Sequence, residues 1–178
     1  MITPLVAFSL VGLVLFYLQN LVFFPHVHLR LLALLIFYVG LRPSLSLSLA
    51  LALSLVLGGL QDCYATTPLG LHLGASLVLV AVARFSRRRL LLQQLGFQMI
   101  AGLAALILQE VCLQAETFIL GYGPFFFLEA LKVHGMEILG TAALGPLMHL
   151  LVQGVENFLL RLGWRPRSEH LPYQPFAD

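Results

Sequence analysis

Residues 4–24 read PLVAFSLVGLVLFYLQNLVFF and carry no charged side chain. A helix rises about 1.5 Å per residue, so about 20 apolar residues cross the hydrocarbon core of a bilayer. The stretch is therefore long enough to span a membrane. No basic segment precedes it and no small-residue cleavage site follows it, so we expect a retained first span rather than a signal peptide.

The composition of the whole chain points to a protein whose surroundings are lipid. The 178 residues are 60% hydrophobic and only 10% charged, whereas soluble domains contain about 25% charged residues. So few charges cannot cover a soluble domain of this size. Inside a bilayer, only helices and closed barrels satisfy every backbone hydrogen bond. Long unbroken runs of Leu, Val and Ala favour helices, and the predicted fold class is an all-α, polytopic membrane helix bundle.

One segment has the pattern of a strand. Residues 44–55 read SLSLSLALALSL, and such alternation is typical of a barrel strand. The neighbouring segments are continuous apolar runs, which favours a helix here as well. On a helix, small residues then recur at every fourth position, at Ser46, Ala50, Ser54 and Gly58. Such a row lets a second helix approach closely within a membrane.

The chain divides into six predicted transmembrane spans. They cover residues 4–24, 28–41, 44–60, 69–85, 90–113 and 134–160, and the second is short for a bilayer crossing. Together they make one domain, 1–163. A polar, proline-rich tail, 164–178, follows and is predicted to be a flexible cytoplasmic segment.

The segment FFFLEAL lies between predicted spans five and six, at residues 125–131. Two interpretations of it stay open. It lies flat on the outer interface with its aromatic rings in lipid, or it packs over the bundle as a lid.

The distribution of basic residues predicts the orientation. With both termini in the cytoplasm, eight of the ten Lys and Arg residues lie on the inner side, and only Arg30 and Lys132 lie on the outer side. Cytoplasmic loops carry such an excess of basic residues. The main topology anchors are the arginines that follow predicted span four: Arg84, Arg87, Arg88 and Arg89.

Asp62 stands out among the polar residues at the predicted outer ends of the spans. It follows Gly58 at the fourth position and so continues the row of small residues. That position directs it toward a packed helix or a cleft rather than toward lipid. Two interpretations stay open: Asp62 caps the next helix or lies in interfacial water, or it has a structural or recognition role at the outer end of the bundle.

Three further residues are candidates for a pocket or a partner site. Gln109 and Glu110 lie near the outer end of predicted span five, and Glu137 lies near the outer start of span six. An ionisable residue at membrane depth is a functional candidate by default. His149 lies deeper, and we expect it to be neutral and hydrogen-bonded.

No motif indicates an enzyme, a cofactor or a metal. The chain has no H-E-x-x-H, no G-x-S-x-G and no phosphate loop, and its His and acidic residues show no metal-ligand spacing. We therefore expect no catalytic, cofactor-binding or metal-binding residues. The arginine cluster lacks interleaved aromatic residues to stack bases, so nucleic acid is not an expected partner. Cys63 and Cys112 fit no zinc or redox motif, and a disulfide between them stays open beside two free thiols.

Residues 57–91 read LGGLQDCYATTPLGLHLGASLVLVAVARFSRRRLL, and here the chain resembles the MreD family of bacterial rod-shape-determining membrane proteins. The resemblance rests on the G-x-x-x-D step from Gly58 to Asp62, on Pro68, Leu69 and Gly70, and on a span that ends in basic residues. Length, the six-span plan and the short polar tail agree over nearly the whole chain. Gln61 and Cys63 depart from the Leu-rich step that is usual in the family.

The resemblance implies a non-enzymatic scaffold in the bacterial cytoplasmic (inner) membrane that serves elongation of the lateral wall. The family works with MreC, a single-span protein with a periplasmic domain, and with the actin-like MreB. The wider complex includes RodZ and the RodA glycosyltransferase with its transpeptidase.

The MreD family is also similar in fold to the substrate-binding subunits (S-components) of energy-coupling-factor transporters. That similarity keeps a second function open, a transporter subunit with an outward-facing pocket for a small molecule or a lipid. A third function, an enzyme that acts on lipid-linked substrates, would need Asp62 and Glu110 to converge in a cleft.

Overall fold

The computed structural model describes residues 2–23, 29–65, 68–87, 94–123 and 127–164. Over these residues the chain is helical and contains no strand, so the predicted all-α class is confirmed. The alternating segment lies in a helix. The helices are α1 (Ile2–Tyr17, continued by a π-helical turn at Leu18–Phe23), α2 (Leu31–Leu41), α3 (Leu47–Tyr64), α4 (Leu71–Ser86), α5 (Leu95–Ile119), α6 (Phe127–Ala143) and α7 (Gly145–Arg161).

Three of the described helices are long and apolar enough to cross a membrane, namely Thr3–Leu21, Leu47–Tyr64 and Gly96–Ile119. Helices α6 and α7 meet at a bend of 47° and add a fourth crossing if the pair is one broken span. Helices α2 and α4 are apolar but shorter. At 1.5 Å per residue, α2 extends about 16 Å, roughly half of the hydrocarbon thickness. The structure therefore shows three or four candidate spans, and the count of six stays a prediction.

Helix α2 is the central helix of the bundle. Every residue from Leu31 to Leu41 is buried, and the helix contacts each of the other helices that the structure describes. A helix that is apolar on every side has no face suited to water, so burial is its stable position. Its two ends are flanked by Arg30 and Arg42, and each arginine faces a carboxylate from another helix.

The row of small residues on α3 is turned inward. Ala50, Ser54 and Gly58 are buried, and a Cβ added to Gly58 would lie 2.9 Å from the Cα of Leu73 on α4. Because overpacking against backbone is costly, glycine lets α3 and α4 approach closely at this point. Ser46 instead caps the start of the helix, because its hydroxyl oxygen accepts a hydrogen bond from the backbone N–H of Leu49 at 3.3 Å.

The predicted span at 134–160 consists of parts of two helices. Helix α6 already begins at Phe127, and the chain bends at Leu144 before α7 starts. Proline lies in the first turn of α7, where it is tolerated at a helix start but would disrupt a continuous helix. A Cβ on Gly145 would lie 2.9 Å from the Tyr38 hydroxyl oxygen. The bend therefore brings the start of α7 against the central helix.

The segment FFFLEAL is only partly described. Its residues 127–131 form the first turns of α6, while 125–126 lie outside the described residues. In that first part Leu128 is exposed and Ala130 is buried.

The C-terminal end of α2 is closed by arginine side chains. Arg84 on α4 donates hydrogen bonds from Nη1 to the Arg42 carbonyl at 3.1 Å and from Nη2 to the Leu45 carbonyl at 2.6 Å. Arg42 Nε lies 3.7 Å from Glu156 Oε2 on α7, and its Nη2 donates to the His149 carbonyl at 3.5 Å. Arg84, predicted as a topology anchor, thus also ties α4 to the turn between α2 and α3.

The other predicted anchors and the tail are described only in part. Arg87 follows the last residue of α4, whereas Arg88 and Arg89 lie outside the described residues. Of the predicted tail, Trp164 is described and packs against the hydrophobic core, and residues 165–178 lie outside the description.

Candidate functional site: a polar cavity at the N-terminal end of the central helix

A cavity of about 540 Å³ opens at the N-terminal end of α2. Small-molecule sites have volumes of about 300–1,000 Å³, so this cavity is large enough for a ligand. Its walls come from the turn after α1, the residues before α2, the end of α3, the start of α4, and the facing parts of α5 and α6. The polar side chains that line it are Gln19, Asn20, Arg30, Gln61, His72, Gln109, Glu110, Gln114, Thr117, His134 and Glu137.

Glu110 is the centre of an ion cluster in the cavity wall. Its Oε2 accepts a hydrogen bond from Arg30 Nη1 at 2.6 Å. Its Oε1 lies 3.3 Å from His134 Nδ1 and accepts a hydrogen bond from Gln114 Nε2 at 3.4 Å. The Glu110 side chain is only 2% exposed. A carboxylate buried this deeply requires such partners, because an unpaired charge in the interior is strongly destabilising.

Glu137 belongs to the same cluster but is held more loosely. Its Oε2 lies 3.9 Å from Arg30 Nη2, and its side chain is 22% exposed. That distance is an ion pair but is too long for a hydrogen bond. The carboxylate of Glu137 therefore keeps acceptor capacity that it can offer to a ligand.

The start of α2 is fixed by side chains from two other parts of the bundle. A helix start leaves its first backbone N–H groups without partners inside the helix. The Arg30 N–H donates to Thr141 Oγ1 at 3.2 Å, and the Leu32 N–H donates to Gln19 Oε1 at 3.4 Å. The Thr141 hydroxyl in turn donates to the Glu137 carbonyl at 2.6 Å. These bonds position Arg30 between α1 and α6.

Asp62 caps α4. Its Oδ2 accepts hydrogen bonds from the N–H groups of Gly70 at 2.9 Å and Leu73 at 3.2 Å, and its Oδ1 accepts one from His72 at 2.8 Å. A carboxylate is well suited to a helix N-terminus, where unpaired N–H groups and the helix dipole favour negative charge. Gly70 has a φ of +106°, which favours glycine. Of the two interpretations of Asp62, the geometry is that of a cap.

Two side-chain oxygens in the cavity wall have no hydrogen-bond partner within the described part of the chain. They are Gln61 Oε1 on α3 and Gln109 Oε1 on α5. Gln109 is 2% exposed and Gln61 is 9% exposed. A buried polar atom without a partner costs about 1–3 kcal/mol. Each oxygen is therefore an unused hydrogen-bond acceptor in the wall of the cavity.

The structure brings some of the predicted site residues together and separates others. Gln109, Glu110 and Glu137 line the same cavity. Gly58 and Asp62 instead hold the α3–α4 hairpin that forms part of its wall. Pro68 is half-buried, Leu69 is 80% exposed, and neither lines the cavity.

Sequence reasoning did not identify Arg30, Gln19 and Thr141 as parts of the site. One signal pointed to Arg30, since it is one of only two basic residues on the predicted outer side. A basic residue placed against the positive-inside bias beside a buried helix needs a counter-ion. Gln19 and Thr141 carry no comparable signal.

The side chains that line the cavity are able to bind a polar ligand. The lining supplies a guanidinium, two carboxylates, two imidazoles and several carboxamides, which suit hydrogen bonding to a polar ligand. Among the described residues, no three His, Cys, Asp or Glu side chains are placed to hold a metal ion. Cys63 is exposed, Cys112 is half-buried, and both are free thiols.

In comparisons with models of protein families, with curated proteins and with solved structures, nothing matches this chain.

Proposed function

We propose that this protein is a non-enzymatic membrane scaffold of the bacterial cell-elongation machinery, which binds MreC directly and helps to link the MreB cytoskeleton to peptidoglycan synthesis. Through these partners it belongs to a wider complex with RodZ, RodA and the RodA transpeptidase. The proposal rests on the resemblance of residues 57–91 to the MreD family.

The observation that carries the proposal is that three residues on which the resemblance rests, Gly58, Asp62 and Gly70, act together in one hairpin. Gly58 allows the close approach of α3 and α4, and Asp62 caps α4 through the turn that contains Gly70. The three residues make one hairpin whose turn presents Leu69 with 80% of its surface exposed. A rigid hairpin with an exposed apolar residue at its turn is suited to receive a partner protein.

Co-purification with MreC in detergent tests this assignment. We expect Leu69→Glu to reduce the MreC that is recovered while the thermal unfolding of the protein stays unchanged, because Leu69 is exposed. Gly58→Leu together with Asp62→Ala should also reduce MreC recovery, by deforming the hairpin. Gly59→Leu is the matched control, since a Cβ at Gly59 meets nothing within 4 Å. Full MreC recovery with the Leu69 variant and with the Gly58 and Asp62 variant would refute this site.

The proposal includes a six-span arrangement in the bacterial cytoplasmic membrane with both termini in the cytoplasm and the cavity at the periplasmic side. The excess of basic residues on one side supports it. Cys63, an exposed thiol beside Asp62, provides the test in a Cys112→Ser background. A membrane-impermeant maleimide should label Cys63 in cells with a permeabilised outer membrane and an intact inner membrane. Labelling only after the inner membrane is opened would reverse the orientation.

The cavity favours a second candidate function, a substrate-binding subunit of a transporter with an outward-facing pocket. The supporting observation is the combination of volume, buried polar lining and unpartnered carboxamide oxygens at one end of the bundle. Mass spectrometry of the purified protein tests it. A small molecule retained in stoichiometric amount would favour this function, and its absence from protein that retains MreC would favour the scaffold.

A further inference from the structure

We infer that the cavity at the N-terminal end of α2 binds the primary ammonium group of a small molecule or of a lipid headgroup. The inference rests on the ligand-binding candidate above and goes beyond it by naming the chemical class of the ligand. It does not depend on the binding of MreC.

The charges that line the cavity leave one carboxylate without full compensation. Glu110 is matched by Arg30 at 2.6 Å and has two further partners, His134 and Gln114. Glu137 reaches the same guanidinium only at 3.9 Å. Apart from the two imidazoles, the described lining therefore has two carboxylates and one guanidinium, an excess of one negative charge. The nearby carboxylate of Asp62 has the same sign as the excess, so the local field favours a cation.

The unpartnered polar atoms of the wall call for a ligand that donates hydrogen bonds. Gln61 Oε1 on α3 and Gln109 Oε1 on α5 are acceptors without a donor among the described residues. The carboxylate of Glu137 on α6 is a third acceptor with spare capacity. A primary ammonium carries three N–H donors and one positive charge. Its donors suit these acceptors, to which the unpartnered Nδ1 of His72 belongs in its acceptor form, and its charge is opposite to the excess of the carboxylates.

Other simple polar groups match less well. A quaternary ammonium supplies the charge but no N–H donor, and a neutral hydroxyl supplies a donor but no charge. A phosphate would add negative charge and acceptors to a lining that already has an excess of both. Because water occupies about 30 Å³ per molecule, a cavity of about 540 Å³ also has room for the rest of an amine. Leu29, Leu71 and Leu113 line it as well and can contact carbon atoms.

The experiment uses the full chain in nanodiscs and separates the two sources of the amine. For a free amine, ethanolamine is titrated by calorimetry into phosphatidylglycerol nanodiscs, with choline and ethylene glycol as matched probes. For a lipid, native mass spectrometry compares retention of phosphatidylethanolamine with that of phosphatidylcholine of the same acyl chains. We expect one of the two primary amines to bind at least about tenfold more tightly than its quaternary counterpart, since tenfold corresponds to the loss of about one hydrogen bond.

Two variants assign the binding to the cavity. Glu137→Gln keeps the shape of the side chain and removes the uncompensated charge, so we expect amine binding to weaken about tenfold. Glu129→Gln on the same helix is the matched control, because Glu129 is exposed and does not line the cavity. Gln109→Leu provides a second test that removes a free acceptor and leaves all charges in place, and it should also weaken binding.

Each result decides the inference. Saturable binding of ethanolamine supports a free amine, and retention of phosphatidylethanolamine without ethanolamine binding supports a lipid. Three results overturn the inference. They are equal binding of primary and quaternary amines, amine binding that Glu137→Gln does not weaken, and binding of neither ethanolamine nor phosphatidylethanolamine. If MreC is still recovered in that case, the scaffold stands and only the ammonium inference fails. If mass spectrometry then finds a ligand without an amine, the ligand-binding candidate stands as well.

Discussion

The two ends of the central helix α2 are built from the same pair of residue types but differ in what surrounds the pair. At the N-terminal end Arg30 lies 2.6 Å from Glu110, and at the C-terminal end Arg42 lies 3.7 Å from Glu156. Around Arg42, the guanidinium of Arg84 donates its hydrogen bonds to backbone carbonyls. Around Arg30, glutamines and histidines line an open cavity.

The difference shows how an ion pair in an apolar bundle can serve either structure or binding. At the Arg42 end, Arg84 donates to two carbonyls of the turn that follows α2 and Arg42 donates to a carbonyl of α7, and these bonds close the end. At the Arg30 end, one carboxylate and two carboxamide oxygens keep unused acceptor capacity. Unsatisfied buried acceptors cost free energy. A ligand that donates hydrogen bonds to them would remove that cost, so this end is suited to binding.

The largest expected effect is at the tighter pair. Glu110→Ala leaves the Arg30 guanidinium with only the more distant carboxylate of Glu137, at 3.9 Å. Loss of the close partner of a buried pair costs about 3–5 kcal/mol of unfolding free energy. Denaturant titration of the detergent-purified protein measures this loss. The double variant Arg30→Met with Glu110→Leu should recover most of it, because replacing both partners by apolar residues is often neutral. A loss no larger than that of Glu156→Ala would remove the distinction between the two ends.

A variant of Arg84 tests how the C-terminal end of α2 is closed. Arg84→Leu removes two hydrogen bonds from a charged group to the carbonyls of Arg42 and Leu45, and we expect a loss of about 2–3 kcal/mol. The matched control is Arg161→Leu, which makes the same change in charge at an exposed position. Occupancy of the cavity by a ligand should stay unchanged in both. Equal unfolding midpoints for the two variants would show that Arg84 does not hold this turn.

Asp62 tests the hairpin next to the cavity. Asp62→Ala removes the cap of α4, and loss of an N-cap costs about 1–2 kcal/mol. The local readout is hydrogen exchange at the amides of Gly70, His72 and Leu73, which should become faster because each donates to Asp62. Asp62→Asn keeps an acceptor oxygen and should show a smaller increase. Unchanged exchange at all three amides in the alanine variant would contradict the cap.

Glu156 gives the smallest expected effect. Its distance to Arg42 is 3.7 Å, and the Arg42 side chain is 20% exposed and also donates to the His149 carbonyl. We therefore expect Glu156→Gln to cost about 1 kcal/mol or less, as for partly exposed ion pairs. The measurement is the same denaturant titration. A cost above that of Arg84→Leu would mean that the C-terminal end depends on its ion pair more than on Arg84.

The sequence predicted the helical class and the separation of an arginine-rich end from an end with acids, histidines and carboxamides. It predicted less well where single helices end. The bend before α7 has a local signal in Gly145 and Pro146, yet the hydropathy of 134–160 is continuous enough to suggest one span. The short length of α2 was visible in the sequence, but its central position was not. An apolar helix has the same sequence pattern whether lipid or protein surrounds it.

By itself, the sequence determined that the described chain is helical and apolar and that Asp62 continues a row of small residues. These properties follow from composition and from a period of about four residues, both of which are local. Only the tertiary structure decided that Arg30 meets Glu110 eighty positions away, that Glu156 meets Arg42, and that glutamines from α3 and α5 share one cavity. Such contacts depend on how the helices are arranged around α2, and a pattern along one helix does not specify which helix it will face.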